Sequence, residues 1–189
     1  MERTSYQYDR VMEACLDVFT RKLRDYGPAW RVLRPASLTD QIYIKANRIR
    51  SIDRSGMHKV DEGILPEFTG IVNYAIIALI QLELGPTESM DLNPDEALAM
   101  FAVQRDRAKD LMMNKNHDYG EAWRNMRVSS LTDIILMKLL RIKQIEDNDG
   151  QTLISEGVDA NYLDIINYAV FALILLGDND PGNKVNEVE

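Results

Sequence analysis

Residues 22–30 read Lys-Leu-Arg-Asp-Tyr-Gly-Pro-Ala-Trp, and residues 115–123 read Lys-Asn-His-Asp-Tyr-Gly-Glu-Ala-Trp. The likeness continues beyond them, since sixteen of twenty-eight residues are identical between 22–49 and 115–142. Ordinary residue frequencies would give about two matches. The two halves of the chain are therefore copies. Two long copies are more typical of one pseudo-twofold globule than of a solenoid, which needs three or more units.

The duplication also predicts the domain organisation. With one extra residue in the second half, Asn73-Tyr74-Ala75 corresponds to Asn167-Tyr168-Ala169. We expect a first helical repeat at residues 1–85, a second at 93–177 and a polar tail at 178–189. Together the repeats are expected to form one compact unit, either a monomeric pseudo-dimer or a homodimer.

Hydrophobic periodicity predicts an all-α fold, a helical bundle of two tandem three-helix repeats related by a pseudo-twofold. The first helix carries an apolar stripe at Val11, Ala14, Cys15, Val18, Phe19 and Leu23. The third helix of each repeat is apolar on most sides, so we expect these two to be buried against each other. The six helices are predicted at about 6–25, 38–53, 67–84, 94–118, 130–146 and 159–176.

Three helix starts carry recognisable signals. Asn93-Pro94-Asp95-Glu96 combines a cap, a proline at the first helical position and acids against the helix dipole. Ser37 and Ser130 are each followed three residues later by an aspartate, which predicts two capping boxes. These boxes would use the carboxylates of Asp40 and Asp133.

Composition limits the classes of function. The chain is 46% hydrophobic and 28% charged, with a net charge of −8, which argues against nonspecific binding to nucleic acid. Basic residues nevertheless gather in the repeated segment, which suits a small anion such as a nucleotide. The single cysteine, Cys15, predicts core packing and a reducing compartment. The apolar runs are too short to span a membrane and no leader is apparent, so we expect a cytoplasmic protein.

Cations and aromatic rings in the repeat are candidate nucleotide contacts. Lys45 and Arg48 share one helical face, as do Lys138 and Arg141, and such pairs repel unless they meet acids or a phosphate. A solvated face is the alternative. The only tryptophans stand beside the tyrosines of the motif and could stack on a base or pack in the core. The predicted phosphate-binding residues are Lys22, Arg34, Lys45, Arg48, Lys115, Arg127, Lys138 and Arg141, and the predicted base-stacking residues are Tyr26, Trp30, Tyr119 and Trp123.

Acids supply the candidate catalytic and metal-binding groups. Asp25 and Asp118 end helices, where the dipole disfavours negative charge, so each needs a cation, a lysine or a metal. Asp164 lies on a core helix, where a carboxylate must be paired or coordinated. The first repeat has Gly70 at that position, so the second repeat is predicted to hold the stronger site. The predicted catalytic residues are Asp118, Asp133 and Asp164, and the predicted Mg²⁺ ligands are Asp133, Glu156 and Asp164.

The motifs K-x-x-D-Y-G-x-A-W, S-L-T-D-x-I-x-x-K-x-x-R-I and N-Y-A resemble those of the nucleotide modification associated domain 1 family, a domain of unknown function. The resemblance covers nearly the whole chain and implies a role in nucleotide metabolism or base modification. More remotely, the spacing of Asp164 and Tyr168 resembles the last motif of all-α MazG-like nucleoside triphosphate pyrophosphatases. That likeness implies Mg²⁺, but the first acidic motif of those enzymes, E-x-x-E, is not recognisable here.

Two hypotheses follow. In the first, the protein binds or processes a nucleotide; if it is an enzyme, it is a pyrophosphohydrolase-like hydrolase of a nucleoside triphosphate or modified nucleotide. In the second, it is a non-catalytic helical module in which the motif serves packing. The first expects Asp25, Lys45 and Arg48, and their copies, to converge on an open cleft, and the second expects them to be salt-bridged and closed over. Neither His58 nor His117 lies at zinc-ligand spacing from a second ligand.

Overall fold

Helices account for nearly all of the regular structure in residues 2–55 and 63–178, the parts of the chain that the computed structural model describes. No strand occurs in these ranges, which confirms the all-α prediction. His58 and almost all of the predicted tail lie outside them. The helices are α1 (Glu2–Tyr26), α2 (Pro35–Ser55), α3 (Leu65–Leu84), α4 (Pro94–Tyr119), α5 (Val128–Asp147) and α6 (Val158–Asp178), with short 3-10 helices at Ala29–Val32 and Ala122–Asn125.

One predicted helix start is confirmed. The Asn93 side chain accepts a hydrogen bond from the Glu96 amide at 2.9 Å, and the Glu96 carboxylate accepts one from the Asn93 amide at 2.8 Å. This reciprocal pair satisfies two backbone donors that would otherwise lack partners at the start of α4.

The prediction of two serine capping boxes is wrong. α2 begins at Pro35 and α5 at Val128, so Ser37 and Ser130 lie inside the first turn of each helix. The acids of the two boxes reach across the molecule instead. The Asp40 carboxylate accepts from Lys143 at 2.5 Å, and the Asp133 carboxylate lies 3.5 Å from Arg50. Because α2 and α5 pack on each other, these pairs form two equivalent links between the repeats.

The centre of the bundle is the pair α3 and α6, which pack against each other as predicted. α2 packs on α3 and α5 on α6, while α1 and α4 each contact both central helices. This arrangement relates the repeats by a pseudo-twofold. By length and composition α3 and α6 could cross a membrane, but they are mostly buried inside the bundle, as core helices are. In α1 Cys15 is buried as predicted, whereas Ala14 is exposed.

Each repeat uses one buried asparagine to fasten its third helix to its first. Asn73 of α3 donates to the Cys15 carbonyl at 2.9 Å, and Asn167 of α6 donates to the Ala108 carbonyl at 3.0 Å. Both side chains are at least nine-tenths buried. The N-Y-A asparagines therefore have a structural role in both repeats.

A buried arginine fastens the connection between the repeats. Arg31, in the first 3-10 helix, is 3% exposed and binds both oxygens of Asp91, at 2.7 and 3.1 Å. It also donates to the Gly85 carbonyl at 2.8 Å and to the Gln81 side chain. The linker is thus held against the first repeat at both of its ends.

Candidate functional site

The first repeat contains a cleft of about 670 Å³ between α1, the 3-10 helix, α2 and α3. Its wall is mainly apolar, with Phe19, Leu23, Leu33 and Ile77 among the lining residues. Three further aromatic rings and two lysines complete it, namely Tyr26, Trp30, Tyr74, Lys22 and Lys45. A few polar groups in an apolar, aromatic concavity are typical of small-molecule sites.

The repeated motif creates this cleft through a sharp change of chain direction. Lys22 and Tyr26 are one turn apart near the end of α1, so they lie on one face. Gly27 then takes a left-handed conformation (φ 65°), and its amide bonds the Leu23 carbonyl at 2.9 Å. The turn leads into the 3-10 helix that brings Trp30 to the cleft wall, where 9% of its surface is exposed.

The cations of this repeat differ in what they contact. Glu67, buried on α3, accepts from Lys45 at 3.3 Å and from Arg48 at 2.6 Å. The Lys45 ammonium also lies 5.8 Å from the centre of the Tyr74 ring. Lys22 is exposed and has no hydrogen-bond or ion-pair partner among the described residues. One lysine at the cleft is therefore free to bind a ligand, and the second is held by a long ion pair.

Tyr26 offers a ring and a hydroxyl at the cleft. Just over half of the residue is exposed. Burial of the rest, together with Tyr74 and Asp25 nearby, raises the pKa of the Tyr26 hydroxyl above its usual value. The hydroxyl is therefore protonated at neutral pH and is available as a hydrogen-bond donor.

In the second repeat the equivalent lysines already hold a carboxylate. Asp164 of α6 accepts from Lys115 and from Lys138, each at 2.5 Å, through its two different oxygens. Burial alone would lower the pKa of Lys115, but the hydrogen bond and charge of Asp164, with Tyr168 and Glu156 nearby, raise it. Asp164 is therefore a counterion for two lysines.

Larger side chains also occupy this part of the second repeat. Leu163 stands where the first repeat has Thr69, and Phe171 where it has Ile77. The Phe171 ring stacks on Trp123 with centroids 4.2 Å apart and planes within 2°. Trp123, predicted to stack on a base, is buried in the core against this neighbour.

The remaining predicted residues are dispersed. Asp118 is exposed beside His117, at 3.1 Å, and Tyr119 is exposed. Asp133, Arg141 and Glu156 line a different, shallow groove of about 1340 Å³ along α5, flanked by the almost fully exposed Leu153 and Ile154. The other two arginines, Arg34 and Arg127, are exposed beyond the lining of the first-repeat cleft.

The predicted Mg²⁺ ligands do not fit a Mg²⁺ site. Both oxygens of Asp164 are bound by lysines, and Asp133 pairs with Arg50. Within residues 2–55 and 63–178, no three Asp, Glu, His or Cys side chains gather as metal ligands would.

Fold and cleft define a duplicated all-α protein with a lysine-bearing aromatic cleft in its first repeat. The family model described as nucleotide modification associated domain 1 matches the chain twice, at residues 22–82 and 115–176. Since the two matches together cover more than half of the chain, the protein belongs to that family. No curated protein and no solved structure matches it.

Sequence reasoning missed two groups that shape the cleft. Tyr74 belongs to the repeated N-Y-A motif, whose second position could have been recognised as a cleft residue. Glu67 stands where the second repeat has Asn161. Its role as the partner of Lys45 and Arg48 depends on the packing of α2 on α3.

Proposed function

We propose that the protein binds a nucleotide in the cleft of the first repeat, with the base among the aromatic rings and the phosphate at Lys22 and Lys45. The single observation that carries this proposal is the pairing of three rings with a partner-free lysine in one apolar concavity. Aromatic faces stack on any base, and ammonium groups bind phosphate as point charges. Membership of a nucleotide modification associated family supports the same class of ligand.

The alternative, that the motif serves packing only, is favoured by a specific observation in the second repeat. There Asp164 pairs with both lysines and Phe171 covers Trp123. Each hypothesis therefore applies to one of the two repeats. In this proposal the first repeat binds the ligand and the second stabilises the fold.

Titration calorimetry with a panel of nucleoside mono-, di- and triphosphates, each with and without Mg²⁺, tests the proposal. Lys22→Gln is expected to weaken binding about tenfold, the effect of one charge-assisted hydrogen bond. Arg24→Gln is the matched control, because it removes the same charge from the same helix outside the cleft lining. Tyr26→Ala is expected to weaken binding, whereas its second-repeat counterpart, Tyr119→Ala, is not.

If the wild-type protein binds no nucleotide, as measured by calorimetry and by thermal shift, only the packing hypothesis remains. Hydrolysis is a separate prediction and is measured on the same panel as release of monophosphate and pyrophosphate. A cytoplasmic location is part of the proposal.

A further inference from the structure

The two repeats present the same pair of lysines to different groups. In the second, Lys115 of α4 and Lys138 of α5 meet at the Asp164 carboxylate, one on each oxygen. The Asp164 side chain is 6% exposed, so this carboxylate is buried between the two lysines. The second repeat therefore shows where an anion sits when it bridges the two lysines of the motif.

In the first repeat the position of Asp164 is taken by Gly70. The Lys45 side chain lies along this glycine, since a Cβ built there would be 2.7 Å from Lys45 Cε and 3.0 Å from its Nζ. The internal acid of this repeat, Glu67, stands one helical turn earlier and holds Lys45 and Arg48. Lys22 is left without a partner in the described part of the chain.

We infer that the first repeat binds a single phosphate monoester between Lys22 and Lys45, in the place that the Asp164 carboxylate occupies in the second repeat. The inference takes its cleft from the proposed function and adds the position and size of the anionic group. It identifies the ligand class as a nucleoside monophosphate, bound once per chain, because the second repeat fills its own site.

Charge and size both support a monophosphate. The two lysines of the motif, Lys22 and Lys45, bring two positive charges to the cleft lining, and Lys22 has no acidic partner among the described residues. A phosphate monoester carries a charge of about −2 at neutral pH. One terminal phosphate also offers an oxygen to each lysine, as the two oxygens of Asp164 do.

The test introduces into the first repeat the carboxylate that the second repeat contains. Gly70→Asp places an acid between Lys22 and Lys45, and Gly70→Asn adds the same bulk without the charge. Both variants require only that the flexible end of Lys45 move, so both are expected to fold. Lys22→Gln is a second, independent variant at an exposed, partner-free position.

The probes are inorganic phosphate, acetate and a set of nucleoside 5′-monophosphates, at constant ionic strength, with thermal shift and calorimetric stoichiometry as readouts. Phosphate is expected to stabilise the wild-type protein with one site per chain. Gly70→Asp, Gly70→Asn and Lys22→Gln should each weaken phosphate and monophosphate binding about tenfold or more, because the first two fill the place of the anion and the third removes one of its cations. Arg24→Gln, outside the cleft lining, should stay within about threefold of wild type.

Several results would overturn the inference: no phosphate-specific shift in the wild type, two sites per chain, phosphate binding that Gly70→Asn leaves unchanged, or stabilisation by acetate as strong as by phosphate. Failure of the proposed function gives a different result. If nucleoside monophosphates bind no better than inorganic phosphate, the proposal of a nucleotide ligand is wrong, but the inferred anion site remains. If Gly70→Asp does not affect nucleotide binding, the inferred position of the anion is wrong, but the proposal of a nucleotide ligand remains.

Discussion

The Tyr8 hydroxyl donates a hydrogen bond of 2.8 Å to Asn167 Oδ1, joining α1 of the first repeat to α6 of the second. The pseudo-twofold counterpart of this bond is missing. Asn73 corresponds to Asn167, but Phe101 stands where Tyr8 would be repeated. As a result, the buried Asn73 Oδ1 has no hydrogen-bond partner in the described part of the chain.

The single substitutions Tyr8→Phe and Phe101→Tyr should therefore have opposite effects on the free energy of unfolding. Tyr8→Phe leaves the Asn167 oxygen unpaired and is expected to lower the free energy of unfolding by about 1–3 kcal/mol. Phe101→Tyr supplies the missing hydroxyl to Asn73 and is expected to raise it by up to about 1 kcal/mol. Urea unfolding measures both. Destabilisation by Phe101→Tyr as large as that by Tyr8→Phe would show that the two environments are not equivalent.

Asp164→Asn should be among the more costly single changes to this fold. It leaves Lys138, which is 8% exposed, as a buried charge without its counterion, at an expected cost of about 3 kcal/mol. Asp133→Asn is the matched control, because it breaks a 3.5 Å pair between exposed side chains worth about 0–1 kcal/mol. Thermal unfolding of the two variants compares them, and equal shifts would contradict the role of Asp164 as a buried counterion.

Glu121 gives the fold an acid-sensitive contact. Hydrogen bonds from the Thr4 hydroxyl and from Arg124, the latter at 2.7 Å, hold the pKa of Glu121 at about 2. Because this pKa is depressed, the stabilisation is complete above the ordinary value of a glutamate and is lost as the pH falls toward 2. Glu121→Gln should cost about 1 kcal/mol at pH 7 after solvent screening, and its difference from wild type should shrink with acidification. Urea titrations at several pH values measure this, and a constant difference would contradict it.

The two tryptophans allow each repeat to be observed separately. Trp30 lines the first-repeat cleft, whereas Trp123 is buried against Phe171. In Trp123→Phe the remaining fluorescence comes from Trp30, and a nucleoside monophosphate in the cleft should quench it. In Trp30→Phe the remaining signal comes from Trp123 and should be unchanged at ligand concentrations that saturate the wild type. Quenching confined to Trp123 would locate the ligand in the second repeat.

Helix number and repeat symmetry were predictable because the apolar period and the duplicated motif lie within the local sequence. The roles of Asp40 and Asp133 were not predictable from local sequence. Each pairs with a cation of the opposite repeat, and this pairing depends on the packing of α2 on α5. Lys22, Lys45, Tyr26 and Trp30 of the cleft lining were named from the motif, whereas Tyr74 was not. Which of the two repeats leaves its lysines without an internal carboxylate was not predictable, because the lysine partners of Asp164 lie 49 and 26 residues away along the chain, on other helices.

The burial of α3 against α6 has a consequence for the ancestry of the chain. A single repeat would expose the apolar face of its third helix, so a one-copy ancestor had to associate with an identical partner. In such an assembly, any substitution at the position of Gly70 would alter both halves at once, and an aspartate there would have filled both clefts. With both copies in one chain, the two positions can differ. In this chain Asp164 pairs with two lysines in the second repeat, whereas Gly70 leaves the cleft of the first repeat without that carboxylate.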